Sequence, residues 1–426
     1  MMSEFSELPG TTDVLIVGGG PAGALLGCLL ARRGIDVVVV EKQQDLERSF
    51  RGENIAPRSV HTLRELGFGP ALDAHGYLSI DSVTAIERGR RLLRLEYGKF
   101  PLATLPIDIP QPALIGIFLA AAQAHPSFHL AMGTAFTGLT EHDGAVTGAT
   151  LRGPGGAATS IRARVVIGAD GRFSKVRQRS GLAADITPMA RDFLSFKLPR
   201  PAGWGDDGYL MIEDDRHLVV LPTWPDFLRI GHNLPKRQLG ELRAAGLPAF
   251  KAGIASLDPR LADLVEEHIT SWEDTSFLEI FTAEMREWAR DGLLLIGDAS
   301  HTCTPILGQG VNLAIQDAVC LAPVLAGALS RGGDRPLPAA TFDGYVAMRR
   351  RHKTTVTRYQ RFQEGALAEK HPVKLFIRRV RFATLNQLPL KYRLLDRVVN
   401  AAHPIDPVDI AAGAPALVPS VRSGQR

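Results

Sequence analysis

The stretch Asp13-Val14-Leu15-Ile16-Val17-Gly18-Gly19-Gly20-Pro21-Ala22-Gly23 decides the fold. Five residues rich in Val, Ile and Leu read as a buried parallel strand, and they run straight into glycines. Pro21–Arg33 follows as an apolar helix stopped by Gly34. Ile35–Val40 reads as a second buried strand, ending at Glu41. The whole is a βαβ unit with a GxGxxG turn. Gly18 permits the tight turn, Gly20 lets a backbone approach a pyrophosphate, and Gly23 lets helix and strand pack closely. Ala22 lies in the same turn, where the helix N-terminus offers free N–H groups and a partial positive charge. Glu41 stands 18 residues after Gly23. A carboxylate there accepts hydrogen bonds from the hydroxyls of an adenosine ribose and repels a 2′-phosphate. Lys42, next to it, is a candidate contact for the same ligand. The motif by itself does not distinguish FAD from NAD.

Outward from this unit, Pro57–Leu66 reads as a helix and Ser82–Tyr97 as strand-like. Gln111–Ala124 is helical, and short strands follow at Phe128–Ala131, Phe136–Glu141, Val146–Leu151 and Ser160–Ile167. From Asp192 to Ile280 the pattern alternates as in β structure, as at His217–Leu221 and Phe227–His232, around a polar helical insertion near Lys236–Ile269. A buried strand at Gly292–Ile296, a glycine-rich loop and a helix from about Gly310 to Leu329 come next. The chain beyond Leu337 reads as helices with proline breaks and an irregular tail.

The chain has 426 residues, 45% hydrophobic and 22% charged, which fits a soluble globular protein of two or three domains. This excludes a mainly disordered, collagen-like or coiled-coil chain. A net charge of +4 on 94 charged side chains is too balanced for a dedicated nucleic-acid binder. Three cysteines, Cys28, Cys303 and Cys320, form no disulfide framework and fit a reducing cytoplasm. No metal site is expected: His301 and Cys303 lack further ligands at suitable spacing. Met1–Thr12 carries no basic or apolar targeting pattern. No membrane-spanning segment is expected either. Ala113–Ala124 is too short, and Gly310–Leu329 is interrupted by Asn312, Gln316 and Asp317.

Two further motifs carry a resemblance. Val165-Val166-Ile167-Gly168-Ala169-Asp170-Gly171-Arg172-Phe173-Ser174-Lys175-Val176-Arg177 resembles the "DG" motif of the single-component (class A) FAD-dependent aromatic hydroxylases, the para-hydroxybenzoate hydroxylase-like monooxygenases. Leu294-Leu295-Ile296-Gly297-Asp298-Ala299-Ser300-His301 resembles their "GD" motif, and the likeness continues through Pro305, Gly308, Gln309, Gly310, Asn312 and Asp317. The three motifs stand in the family's order over residues 13 to about 330. The loop at Pro305–Asn312 also resembles that of the ubiquinone-biosynthesis hydroxylases.

The resemblance implies FAD as cofactor and NADH or NADPH as a transient electron donor, with no separate nicotinamide domain. It implies a flavin C4a-hydroperoxide that hydroxylates a small aromatic substrate, phenolic or polycyclic, at the cost of O2. It places Arg51 on the FAD pyrophosphate, Gln111 near the flavin, and Ala135 on a strand giving backbone contacts to adenine. Asp170 and Asp298 belong to the cofactor site, Asp298 holding a ribityl hydroxyl. Gly308, Gly310, Val311 and Asn312 would bring backbone N–H groups of a helix start to the pyrimidine edge, where reduced flavin is anionic. Pro305 and Gly310 would face the reacting ring. Thr304 and Leu307 depart from the family, which commonly has a second proline and a glycine there. Alternatives are a flavin reductase or dehydrogenase on the same scaffold, a hydroxylase of lipophilic quinone precursors, and a flavin-binding protein without turnover.

The expected architecture is α/β: a doubly wound FAD-binding domain (1–80, 106–182 and 284–335), interleaved with a mainly β substrate domain (81–105 and 183–283), then C-terminal helices and tail (336–426). Tyr209, His217, Arg229 and His232 are the polar candidates of the substrate sheet. Cys28 and Cys320 read as core, and His301 as support for the flavin loop. Between Tyr345 and Asn400 stand 14 Lys and Arg against 3 Asp and Glu, a net +11 that leaves −7 for the rest. Solvated helix faces are the plain reading; docking to an anionic membrane surface or an acidic carrier protein is the alternative.

Overall fold

A computed structural model describes residues 8–46, 53–400 and 405–411. Strand β1 (Thr11–Val17) leads through the glycine turn into α1 (Pro21–Arg32) and then β2 (Val37–Val40). Helix α2 (Gln111–Ala122) precedes β3 (Phe128–Ala131). Strands β4 (Ala158–Gly168) and β5 (Leu293–Leu295) complete a parallel sheet in the order β5-β4-β1-β2-β3. All four valines of β2 are buried, because both faces of a parallel sheet are covered. Helix α1 buries every residue from Ala22 to Ala31 and packs between the sheet, α2 and α3 (Gln309–Leu329). The hairpin Ala135–His142/Ala145–Arg152 pairs antiparallel with β4.

The second sheet has seven strands and is mostly antiparallel. Its central members are Arg191–Pro199, Phe227–Pro235, Arg216–Thr223 and Asp207–Glu213, with Ser82–Glu87 and Arg90–Glu96 at one edge. The insertion read as polar is amphipathic: Phe250, Ile254, Leu257, Leu261, Val265 and Ile269 form a core against this sheet. Their spacing of three and four residues is the helical signature that the charged majority obscures.

After the second sheet and α3 come α4 (Asp343–Leu367), α5 (Pro372–Gln387) and α6 (Leu390–Val399), and a short helix at Pro407–Ala411 follows. The plain reading of this basic region as solvated faces holds only in part. Arg349, Lys353 and Arg378 are buried and paired with acids elsewhere in the chain. Among the described residues one helix, Ile306–Leu329, is long and apolar enough by length and composition to cross a membrane. Most of it is buried against the rest of the fold, and Asn312, Gln316 and Asp317 lie inside with it, as in a core helix.

Candidate active site

The three glycine motifs meet in space. A β-carbon on Gly18, at φ +112°, would lie 2.5 Å from the Ala169 carbonyl oxygen, and one on Gly23 would lie 2.0 Å from the Gly18 carbonyl oxygen. No side chain fits at either position. Gly20, at the N-cap of α1, has an ordinary φ of −74°, so its backbone conformation does not itself require glycine. No side chain caps α1, and the N–H groups of Ala22 and Gly23 stand at its start. Glu41 accepts from the Gly19 N–H at 2.9 Å and the Gln43 N–H at 3.1 Å, which fixes its carboxylate at the turn. Lys42 is exposed beside it, and Ala135 follows Thr134, whose N–H reaches the Glu41 carbonyl at 2.8 Å.

Arg177 joins the second and third motifs. Its guanidinium donates to the carbonyls of Asp298 (3.2 Å), Ala299 (3.1 Å) and Arg172 (2.5 Å). Asp170 turns inward: Ser174 Oγ and the N–H groups of Lys175 and Val176 donate to it, so it caps the short helix Lys175–Arg179. Asp298 keeps its side chain 27% exposed, with Arg172 Nε 3.8 Å away. Gln111 is buried at the start of α2. Arg51 lies outside the described residues.

The loop around Pro305 is clamped from two helices. Asn312 accepts from the Ala56 N–H at 2.8 Å and donates to the Gly308 carbonyl at 2.8 Å. Gln360 of α4 makes three bonds: it accepts from the Thr304 N–H (3.2 Å) and donates to the carbonyls of Thr304 (3.0 Å) and Ile306 (2.7 Å). Leu307 and Gly308 adopt φ of +63° and +60° in succession. That explains why glycine suits position 307, where this chain carries leucine. Gly310 and Val311 open α3, which has no side-chain cap.

Behind this loop lies a buried charge cluster. Asp317 accepts from the Gly297 N–H (2.7 Å), Arg349 Nε (2.7 Å) and Lys353 Nζ (2.6 Å). Burial opposes its charge, but Lys353 and Arg349 outweigh burial and hold the carboxyl down at about 2. Lys353 also donates to Ser300 Oγ at 3.1 Å, locking the third motif to α4. His301 Nε2 meets Thr357 Oγ1 at 2.7 Å, and burial lowers the ring to about 3, so it stands neutral. Burial raises Cys303 to about 12 and Cys28 and Cys320 to about 11, so none is a reactive thiol.

A small cavity of about 10 Å³, room for about one water molecule, lies between the Pro305 loop, the second sheet and α4. Thr304, Pro305 and Ile306 form one wall; Arg191, Phe193 and His217 form the opposite one; Glu364 closes an end. Glu364 is 7% exposed, and neither carboxylate oxygen closes a hydrogen bond of ordinary geometry. Burial raises it to about 7, against the backbone N–H groups of Arg191 and Ala190 and the charges of Arg191 and Lys236. His217 is lowered to about 3 by burial, and its Nδ1 has no partner. Of the four polar candidates, His217 alone lines this cavity. Tyr209 stacks with Arg260 and Trp204. His232 lies against Phe250.

Arg229 joins a polar seam between the second sheet and the short paired strands Asn54–Ile55 and Ile107–Asp108. It pairs with Glu53 and, at 3.6 Å, with Asp108; Lys197 reaches Glu53 at 3.1 Å. Thr223 Oγ1 contacts both Glu53 and Asp108. One hydroxyl carries one proton, so both contacts are satisfied when one carboxyl is protonated. Burial pushes the Asp108 carboxyl up, whereas Glu53 is held down by Arg229 and Lys197 despite its burial.

Comparison with known proteins now decides the class. The family described as "FAD binding domain" matches residues 11–360. The chain belongs to that family. It is 35% identical to the 6-methylpretetramide 4-monooxygenase of Streptomyces rimosus, across 91% of this chain and 92% of that one. It is 28% identical to the 3-demethoxyubiquinol 3-hydroxylase of Escherichia coli, across 75% and 81%. PqsL of Pseudomonas aeruginosa, solved in complex with 2-aminobenzoylacetate, shares the fold at a TM-score of 0.75 and 24% identity, covering 88% of this chain and 99% of that one. This chain is thus an FAD-dependent aromatic monooxygenase. The residues suit the cofactor: an uncapped helix start behind a turn where a β-carbon would clash, a fixed carboxylate at the adjacent strand end, and a half-buried aspartate on the third motif.

Sequence reasoning missed Gln360, Lys353, Arg349 and Glu364. They recur at three- and four-residue spacing along one face of α4, with His352, Val356, Thr357 and Leu367 buried on the same face. A polar stripe interleaved with apolar residues at helical period was the available signal.

Proposed function

We propose that this enzyme uses NAD(P)H and O2 to hydroxylate a polycyclic aromatic small molecule of the polyketide kind. The reading rests on the convergence of the three cofactor motifs beside the Pro305 loop, which faces the second sheet. Likeness to the 6-methylpretetramide enzyme along nearly the whole of both chains supports the substrate class. Bound FAD supplies the redox chemistry, taking a hydride from the nicotinamide and activating oxygen. In this reading the start of α1, with Gly18, Gly20, Ala22 and Gly23, receives the pyrophosphate, joined by Arg51. Glu41 and Lys42 meet the adenosine ribose, and the backbone at Ala135 meets adenine. Gln111 and Asp298 hold the flavin side, and Asp170 acts through the helix it caps. Gly308, Gly310, Val311 and Asn312 present the start of α3 to the pyrimidine edge. Pro305 forms the wall over the reacting face. Residues 1–80, 106–182 and 284–335 then serve the cofactor, 81–105 and 183–283 the substrate, with 336–426 as a buttress. The three unpaired cysteines suit action in the cytoplasm.

Glu364 gives the substrate site its acid–base group. The cavity is too small for an aromatic ring, so substrate parts its walls on binding; a phenolic O–H brought beside Glu364 then transfers its proton to a carboxylate oxygen, leaving a phenolate whose ring is richer in electrons. The proton returns to the oxygen when product leaves. A carboxyl near 7 takes and returns a proton readily at neutral pH. The Gln360 clamp keeps the Pro305 loop closed against water, which would divert oxygen to hydrogen peroxide.

The test is NAD(P)H oxidation and oxygen uptake by the FAD-loaded enzyme over a panel of phenols, quinone precursors and tetracyclic aromatics. Stimulation by a tetracyclic aromatic, with one oxygen atom added to the product, is expected. Flavin reduction without oxygen insertion across the panel would defeat the proposal.

A further inference from the structure

Helix α5 is turned inside out relative to an ordinary surface helix. Val373, Phe376, Ile377 and Val380 recur at i, i+3, i+4 and i+7, and they are 59%, 63%, 57% and 47% exposed. An apolar stripe of that spacing normally faces a core. Here the orientation is fixed from the other side. Arg378 is buried and pairs with Glu87 at 2.5 Å, while donating to the carbonyls of Asp214 (2.8 Å) and Ala366 (3.1 Å). Arg379 adds a second contact to Glu87 at 3.1 Å. Leu375 and Phe382 are buried on the same inner side. The stripe cannot roll inward without breaking this buried pair.

Leu388, Leu390 and Leu394, next along the chain, are 46%, 52% and 51% exposed, and exposed cations are interspersed with these residues in the sequence. Lys370 and Lys374 are 71% and 67% exposed, and Arg393 and Arg397 are exposed on α6. Contiguous exposed apolar surface of this kind marks an interaction site. We propose that α5 and the start of α6 form a docking face for an anionic lipid bilayer, with the stripe entering the headgroup boundary and the cations meeting lipid phosphates. The exposed cations Lys370, Lys374, Arg393 and Arg397 argue for a negative partner and against a second copy of this chain, whose face would carry the same charge. A bilayer also accommodates an apolar stripe flanked by cations without needing a shape-matched groove.

The full-length holoenzyme would be sedimented with vesicles of phosphatidylglycerol and phosphatidylethanolamine, and separately with pure phosphatidylcholine, at low and high salt. Partition to the anionic vesicles, weakened by salt, is expected. Lys374→Ser with Arg393→Ser should reduce partition about thirtyfold, since each basic residue at such a surface contributes about fivefold. The combined Val373→Ser, Phe376→Ser, Ile377→Ser, Val380→Ser variant should lose vesicle binding while keeping its FAD content and its NAD(P)H oxidation in solution. Wild-type protein that stays in the supernatant with anionic vesicles at low salt overturns the proposal. So does a stripe variant that retains FAD and still binds, or light scattering that shows a dimer dissociated by the stripe substitutions.

Discussion

Replacing Glu364 with glutamine keeps the shape of the side chain and removes its charge. An ordinary glutamate titrates at 4.5, and burial raises this one to about 7. The distance between those values corresponds to roughly 3 kcal/mol against the charged form. Screening by nearby polar and charged groups, Arg191 and Lys236 among them, leaves a net cost of about 1–2 kcal/mol. The sign follows from proton binding. Between 4.5 and about 7 the folded state holds more protons at this site than the unfolded chain, so stability falls as pH rises through that window. Below 4.5 the carboxyl is neutral in both states and the cost vanishes. Glu364→Gln should therefore match wild type below 4.5, gain on it through the window, and remain about 1–2 kcal/mol more stable above about 7. Urea unfolding of the FAD-loaded enzyme across this range reads the difference directly. A stability difference constant with pH would refute the account of a buried, unpartnered carboxyl.

Gly23→Ala drives a β-carbon to within 2.0 Å of the Gly18 carbonyl oxygen, so it should cost about 1–3 kcal/mol and release FAD; a variant that purifies with a full complement of flavin would contradict the packing. Leu307→Val puts a β-branched residue at a φ of +63° and should destabilise by about 1–2 kcal/mol. Leu307→Gly should be close to neutral, and equal melting of the two variants would show that the loop is not held in that conformation. Gln360→Ala removes three bonds to the Pro305 loop, each contributing about 1 kcal/mol; it should raise hydrogen peroxide released per NAD(P)H several-fold, and unchanged coupling would remove the clamp from the mechanism.

The cofactor half was legible in the sequence because its requirements are local. Gly18 and Gly23 are dictated by contacts within a few residues or with the neighbouring parallel strand, and the alternation of buried strand, glycine and helix announces them. The face of α4 was not legible for the opposite reason. Asp317 meets Arg349 and Lys353 across 32 and 36 residues, and Glu87 meets Arg378 across 291. A count of basic residues cannot tell a buried, paired cation from a solvated one. Arg229 was singled out as a candidate of the substrate sheet, yet its partners Glu53 and Asp108 come from the first part of the chain, so only the fold shows that it ties the second sheet to the short strands Asn54–Ile55 and Ile107–Asp108. The helical insertion misled through composition: its charges are the outer face of helices whose inner face is Phe250, Ile254 and Val265.

The seam of Glu53, Asp108, Lys197, Thr223 and Arg229 also bears on how such a protein can change over time. The apolar core of the first sheet and that beneath the second are separate clusters, and here they are bridged by charge pairs and a shared hydroxyl. Residues lining the second sheet can therefore be exchanged without repacking the cofactor half, and a new substrate shape can be explored while flavin chemistry stays intact. The seam itself has no such freedom. Its members must be inherited as a set, and a chimera that joins the cofactor half of one homologue to the substrate sheet of another will fold as one unit only where all five travel together.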